Sequence, residues 1–139
     1  INYAAHSLDK ICYLTQSDIA WATGSCTYLQ PGTDVDGSAQ MLLRTSSGIS
    51  ASISLCGYSV VPIDETMLFF ANGSLRLHTG SDLSVTCGSG YETVDTSSYP
   101  NAFEAQWADF ISGVRAGRIL YCDGTYGASI VRTIELLYH

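Results

Sequence analysis

Between Ile49 and Leu55 the chain alternates strictly, with Ile49, Ala51, Ile53 and Leu55 separated by Ser50, Ser52 and Ser54. Side chains on a strand point to opposite faces with a period of two, so this segment has one apolar face and one small, hydroxylated face. Such a strand needs paired neighbours and a second layer over its apolar side. The neighbours follow the same logic. Ala39 to Thr45 precedes it across Ser46-Ser47-Gly48, a short loop that reads as a hairpin. Thr66 to Ala71, Ser74 to His78 and Leu83 to Thr86 continue the run, separated by Asn72-Gly73 and by Thr79 to Asp82. Connections this short force neighbouring strands to be antiparallel. Leu68, Phe69 and Phe70 in a row predict a central strand covered on both faces. Ile19 to Tyr28 reads as extended, and Pro31 to Asp34 as a turn.

The period changes at both ends of the chain. From Asn2 to Leu14, Ala4, Ala5, Leu8, Ile11 and Cys12 fall on one helical stripe, and Asn2, His6, Asp9 and Tyr13 on another. After a Gly, Ser and Thr rich stretch from Gly88 to Ser98, Asn101 can cap a helix, with Glu104 three residues on as in a capping box. Phe103, Trp107, Phe110, Ile111 and Val114 form its apolar stripe, and Gly117 ends it. A last helix follows Asp123, with Ile130, Val131, Ile134, Leu137 and Tyr138 on its packing face. The expected architecture is α+β: one domain over residues 1–139, with an open, mostly antiparallel sheet and helices packed on one face.

Composition narrows the function. Charged residues make up 14% of the chain against a usual quarter, the apolar fraction is 46% and the net charge is −7. That hydrophobicity excludes disorder, and six basic against thirteen acidic residues argue against a nucleic-acid surface. So little charge predicts that part of the surface is covered by something outside the chain. No apolar run reaches the length of a membrane span, and no signal peptide is expected. The five cysteines, Cys12, Cys26, Cys56, Cys87 and Cys122, have neither CxxC nor zinc spacing and read as small buried hydrophobes. The compartment expected from this usage is the cytoplasm. Asn72-Gly73-Ser74 matches a glycosylation acceptor but fits a tight turn.

Gly88-Ser89-Gly90 is the one fragment of a dinucleotide fingerprint, and it lacks both the third glycine and a following helix. It reads as a loop. His6 is the best single candidate for proton transfer, with Asn2 and Asp9 on its helical face. Against that stands the plainer reading of a surface or hydrogen-bonded histidine. His78, beside a turn, and His139, at the terminus, have no clustered partner in sequence. Glu65, Glu92, Asp95 and Asp36 read as solvated charge at strand ends and loops. Trp21, Tyr28, Tyr58, Tyr91 and Tyr99 offer rings that could line a carbohydrate face or serve in core and interface contacts.

The order and spacing of three segments resemble a known family. Asn2-Tyr-Ala-Ala-His6-Ser-Leu-Asp9 is similar to the D/N-x-G-x-H-x-x-D helix start of the glucose-fructose oxidoreductase, inositol dehydrogenase and MocA (Gfo/Idh/MocA) family. Phe70 to Leu77 resembles that family's G-x-x-G-S-L-x-L turn. Phe103 to Ile111, Cys122-Asp123-Gly124 and Ile134 to Tyr138 resemble its last two helices. The resemblance implies the C-terminal domain of a two-domain NAD(P)-dependent oxidoreductase, whose N-terminal Rossmann domain carries the cofactor and an E-K-P lysine outside this chain. It implies a sugar, polyol or related hydroxyl substrate, with His6 at the place of the catalytic histidine and Asn2 where an aspartate often supports it. An amide cannot ionise, so Asn2 would act by hydrogen bonding alone, and Ala5 replaces the glycine usual before the histidine. Asp9 is a candidate substrate-binding residue. Two interfaces are expected: a homo-oligomer contact on the Ser50, Ser52 and Ser54 face, and a contact with the absent cofactor domain along the Asn2, His6 and Asp9 stripe. The chain alone is expected to bind no NAD or NADP and to be inactive. The alternative is a non-catalytic sheet module for assembly or ligand holding, with His6 structural.

Overall fold

The strand run folds as two separate antiparallel sheets in the structure, a computed structural model that describes residues 4–27, 37–57 and 61–136. Asn2, Tyr28, the turn at 31–34, Asp36, Tyr58, Leu137, Tyr138 and His139 lie outside the described residues. In chain order the elements are α1 (Ala4–Thr15), β1 (Ile19–Thr27), β2 (Ser38–Thr45), β3 (Ser50–Cys56), β4 (Glu65–Phe70), β5 (Gly73–His78), β6 (Leu83–Cys87), β7 (Gly90–Val94), α2 (Ala102–Ala116) and α3 (Gly124–Leu136). They form two compact units: Ile1–Tyr58 with Tyr121–His139, and Ser59–Leu120.

The first unit is a three-stranded sheet in the order β1-β2-β3, with α1 and α3 on its apolar face. The register pairs Ala39 with Leu55, Met41 with Ile53 and Leu43 with Ala51, so apolar side chains of the two strands meet on one side. Along β2, Ala39, Met41, Leu43 and Thr45 are buried while Gln40, Leu42 and Arg44 are exposed. Ala4, Leu8 and Cys12, spaced one turn apart on α1, are buried against that face, with Ile130 of α3 in the same cluster. Fully burying a side chain the size of Leu8 contributes roughly 1.5–3 kcal/mol before conformational entropy is subtracted. Ser50, Ser52 and Ser54 line the opposite, exposed face, where the Gln40 amide donates to Ser54 Oγ at 2.7 Å. The hairpin between β2 and β3 is closed by Gly48 at a φ of +88°. Beside it the buried Thr45 hydroxyl accepts from Ile49 N at 3.0 Å and meets Ser47 Oγ at 2.9 Å, so its polarity is satisfied.

The second unit is a four-stranded sheet in the order β4-β5-β6-β7, with α2 following it in sequence. β4 is therefore an edge strand. Phe69 is 76% and Phe70 62% exposed, which corrects the expectation of a central strand covered on both faces. An apolar run is buried on both faces only where a layer packs on each side of the sheet. The stretch expected as a loop after Cys87 is in fact a hairpin, with β6 turning into β7 across Gly88-Ser89 and Cys87 paired with Gly90. Gly88 has a φ of +61°, which suits the first central position of a two-residue turn of type II′. The turn between β4 and β5 is Ala71-Asn72, and Gly73 already belongs to the strand.

α2 starts and stops where its caps predict. Asn101 Oδ1 accepts from Glu104 N at 3.0 Å, and Gly117 at the C-cap has a φ of +63°. Its apolar stripe forms as expected but lies open: Phe103, Trp107, Phe110, Ile111 and Val114 are all exposed. Cys12 is buried and Cys26 half-buried as expected, whereas Cys56 and Cys122 are exposed thiols.

Gly24 on β1 is placed by close approach. A Cβ there would stand 2.5 Å from the Gln40 carbonyl oxygen, a backbone atom of the paired strand that cannot move without opening the ladder. Gly24→Ala is expected to destabilise the chain by about 1–3 kcal/mol, read as a lower urea midpoint with an unchanged m-value.

Candidate functional site

The polar stripe of α1 begins at His6, which is exposed, and runs one turn on to Asp9, which is half-buried. Residues three apart on a helix are surface neighbours, so the imidazole and the carboxylate share one face. Asp9 is not left to solvent. The Tyr126 hydroxyl donates to Asp9 Oδ1 at 2.6 Å, joining the first helix to the last across 117 residues of chain. Tyr126 is delivered there by the start of α3, where Asp123 Oδ1 accepts from Tyr126 N at 2.8 Å and fixes the first turn. Burial, followed by the hydrogen bond to Asp9, pushes the Tyr126 phenol far above its ordinary range, so it stays a proton donor to the carboxylate.

Three tyrosine rings extend the cluster. Tyr126 leans on Tyr121 with centroids 5.2 Å apart, and Tyr13 of α1 meets Tyr121 edge-on at 5.5 Å. Beyond them α1 ends at Gln16, which takes the left-handed conformation with a φ of +49°. Its amide donates to the Tyr13 carbonyl at 2.6 Å, and Ser17 N donates to Cys12 O at 3.3 Å, closing the helix end. A cleft of ≈ 200 Å³ opens at this end, lined by Cys12, Gln16, Ser17, Asp18, Tyr121 and Tyr126. Burial raises the Cys12 thiol, and Asp18 and Asp9 add to the effect, so Cys12 is a neutral, unreactive thiol.

Of the residues singled out from sequence, the structure places His6 and Asp9 on one face, and Asn2 lies outside the described residues. Sequence reasoning missed Tyr126. Its signal was available in Asp123-Gly124-Thr125-Tyr126, where an N-cap aspartate places the tyrosine in the first turn of α3, facing whatever α3 packs on.

A second cluster was also missed. His78, expected without a partner, holds Asp82 Oδ1 at 3.0 Å with Nδ1 and lies 3.6 Å from Glu65 Oε1 with Nε2. The pairing of Glu65 with His78 across β4 and β5, and the turn that returns Asp82 to His78, bring the three together. Asp82 also accepts from Ser81 and Ser84 hydroxyls, both at 3.1 Å. These bonds, His78 first, hold its carboxyl below the usual range. On the same sheet the Arg76 guanidinium lies 4.9 Å over the Tyr91 ring, whose hydroxyl meets Ser74 Oγ at 3.0 Å. Trp21 and Tyr99 are exposed. Among the described residues no group of three His, Cys, Asp or Glu is placed to hold a metal, and no helix is long and apolar enough to cross a membrane.

No family model matches the chain, and no curated protein matches it significantly. Solved structures do. UDP-N-acetylglucosamine 3-dehydrogenase from Acidithiobacillus ferrooxidans matches 97% of this chain with a TM-score of 0.81 at 19% identity, the match covering 44% of its own chain. Aldose-aldose oxidoreductase from Caulobacter crescentus matches 97% with a TM-score of 0.84 at 19% identity, over 42% of its chain. Levoglucosan dehydrogenase, solved with NADH and levoglucosan, matches 96% with a TM-score of 0.78 at 16% identity, over 47% of its chain. The fold is the one these oxidoreductases share, and the chain spans less than half of their length.

Tyr126→Phe removes the donor to Asp9 and is expected to cost about 1–3 kcal/mol in chemical denaturation. The Asp82 bonds have a definite sign in pH. A carboxyl held low when folded contributes stability that is present above the ordinary carboxylate range and lost as pH falls through its lowered folded value. Acid titrations followed by circular dichroism are expected to show a weaker loss of stability at low pH in Asp82→Asn than in the parent chain.

Proposed function

We propose that this chain is the C-terminal, substrate-side domain of an NAD(P)-dependent oxidoreductase acting on a hydroxyl of a sugar, polyol or related compound. The observation that carries the reading is the match of nearly the whole chain to sugar oxidoreductases at TM-scores of 0.78–0.84, with His6 exposed on the helix that also carries Asp9. One of the matched oxidoreductases, from Agrobacterium radiobacter, was solved with NAD+ and another with NADH, which supports a nicotinamide cofactor for the parent protein.

Among the described residues nothing forms the phosphate cradle that such a cofactor needs. The only glycine-rich candidate, Gly88 to Gly90, is a hairpin turn between two strands, whereas a pyrophosphate cradle needs a strand-turn-helix unit. The cofactor is therefore assigned to a Rossmann domain outside this chain, where it supplies the redox chemistry. This chain's own contribution is to orient the substrate and to move a proton. His6 takes or returns the proton of the reacting hydroxyl, Asn2 supports it by a hydrogen bond, and Asp9, anchored by Tyr126, contacts the substrate or its neighbours. The cytoplasm is the compartment that fits these roles.

Two surfaces support partners. The open apolar stripe of α2, carrying Phe103 at 81% and Trp107 at 64% exposure, is surface that a neighbouring domain would cover. The Ser50, Ser52 and Ser54 face, where exposed Leu42 and Arg44 of β2 pair with Ser52 and Ser50, fits a contact with a second copy of the chain.

In the parent protein joined to its cofactor domain, His6→Ala is expected to lower kcat by about 10²–10⁴ with folding intact. Unchanged turnover would leave His6 structural and the chain a module for assembly or ligand holding. For the chain alone, calorimetric titration is expected to show no NADH binding, and tight binding would overturn the assignment of the cofactor to another domain.

A further inference from the structure

The cleft at the C-terminal end of α1 shares Tyr126 with the Asp9 contact, but neither His6 nor Asp9 lines it. Its lining on the helix begins at Cys12, six residues beyond His6 or about 9 Å at 1.5 Å per residue. We infer that it binds a small alkylammonium ion.

Three features of the cleft select that chemistry. Its walls include two tyrosine rings, Tyr121 and Tyr126, tilted at 46° to each other with centroids 5.2 Å apart, and aromatic rings attract cations that have shed part of their water. Asp18, which is exposed, and Cys12, 4% exposed, both line it. The last turn of α1 also ends here, so the negative end of the helix dipole adds to the field. No Lys, Arg or His is among the lining residues, and Lys10 stands about 100° round the helix from Asp9. The electrostatics of the lining agree with this. Burial first, then Asp18 and Asp9, raises the Cys12 thiol, and burial first, with a smaller share from Asp9, raises the Tyr121 phenol, so both acids stay neutral beside the Asp18 carboxylate.

The same features exclude other ligands. A bare metal ion needs several oxygen, nitrogen or sulfur ligands, and a single carboxylate lines the cleft. An anion would meet Asp18 and the helix terminus with the wrong sign. A volume of ≈ 200 Å³ admits a compact head group such as trimethylammonium with a short polar arm, for which the Gln16 and Ser17 side chains supply hydrogen-bonding groups.

The test is a titration of the 139-residue chain with choline, followed by NMR shifts of the tyrosine rings. Saturation with a Kd on the order of 1 mM is expected, with its neutral carbon isostere 3,3-dimethylbutan-1-ol binding at least roughly tenfold more weakly. Asp18→Asn, at an exposed position, is expected to weaken choline binding by about fivefold with an unchanged circular dichroism spectrum. Tyr121→Leu is the second variant, with the same direction expected. Equal binding of the isostere, no saturation by 50-fold above the expected Kd, or choline binding unchanged in both variants would overturn the inference.

Discussion

Three side chains at one-turn intervals, Ala4, Leu8 and Cys12, hold the first unit together by closing the apolar face of a three-stranded sheet. Everything on the polar side of α1 follows from that burial. A helix that commits one stripe to the core has no freedom left to rotate, so His6 and Asp9 are fixed in direction by residues that never touch them. Met41 and Leu43 on β2, each 2% exposed, are the counterpart of that stripe, and their pairing with Ile53 and Ala51 on β3 sets the plane on which the helix rests.

The bond from Tyr126 to Asp9 acts on this arrangement as a second constraint, polar where the first is apolar. A charge-assisted hydrogen bond in a half-buried place is directional, so it fixes α3 against α1 in rotation as well as in distance. It also immobilises the carboxylate nearest His6 on the helix. Proton transfer depends on such positioning as much as on acidity, because a misplaced partner costs rate even when its charge is right.

Much of this was legible in the sequence wherever period and caps coincide. The Ile49 to Leu55 alternation gave the exposed serine face, and Asn101 with Glu104 gave the start of α2, because both are local patterns with one physical reading. Leu68-Phe69-Phe70 misled, since an apolar run does not distinguish a buried strand from an edge strand whose cover lies elsewhere. Gly88-Ser89 hid a hairpin inside a polar stretch, because β7 has too few large side chains to show its alternation. The partners of Asp9 and His78 were invisible for a different reason. One depends on helices 117 residues apart and the other on which strands pair, and neither is a property of any local window.

The first unit is built from two separated stretches, Ile1–Tyr58 and Tyr121–His139, with Ser59–Leu120 between them in sequence. On the ribosome this imposes an order of events. The sheet β1-β2-β3 and α1 emerge early, but Ile130 and Tyr126 arrive only after the whole second unit has been made. At a synthesis rate of about 5–20 residues per second, the intervening stretch keeps part of the apolar face waiting for seconds, far longer than a helix takes to form. The second unit meets no such delay, because its strands pair with their immediate neighbours in sequence as each hairpin is completed. The nascent chain is thus expected to hold a finished second unit while the first is still unfinished, and the arrival of α3 is the step that completes the core of the first.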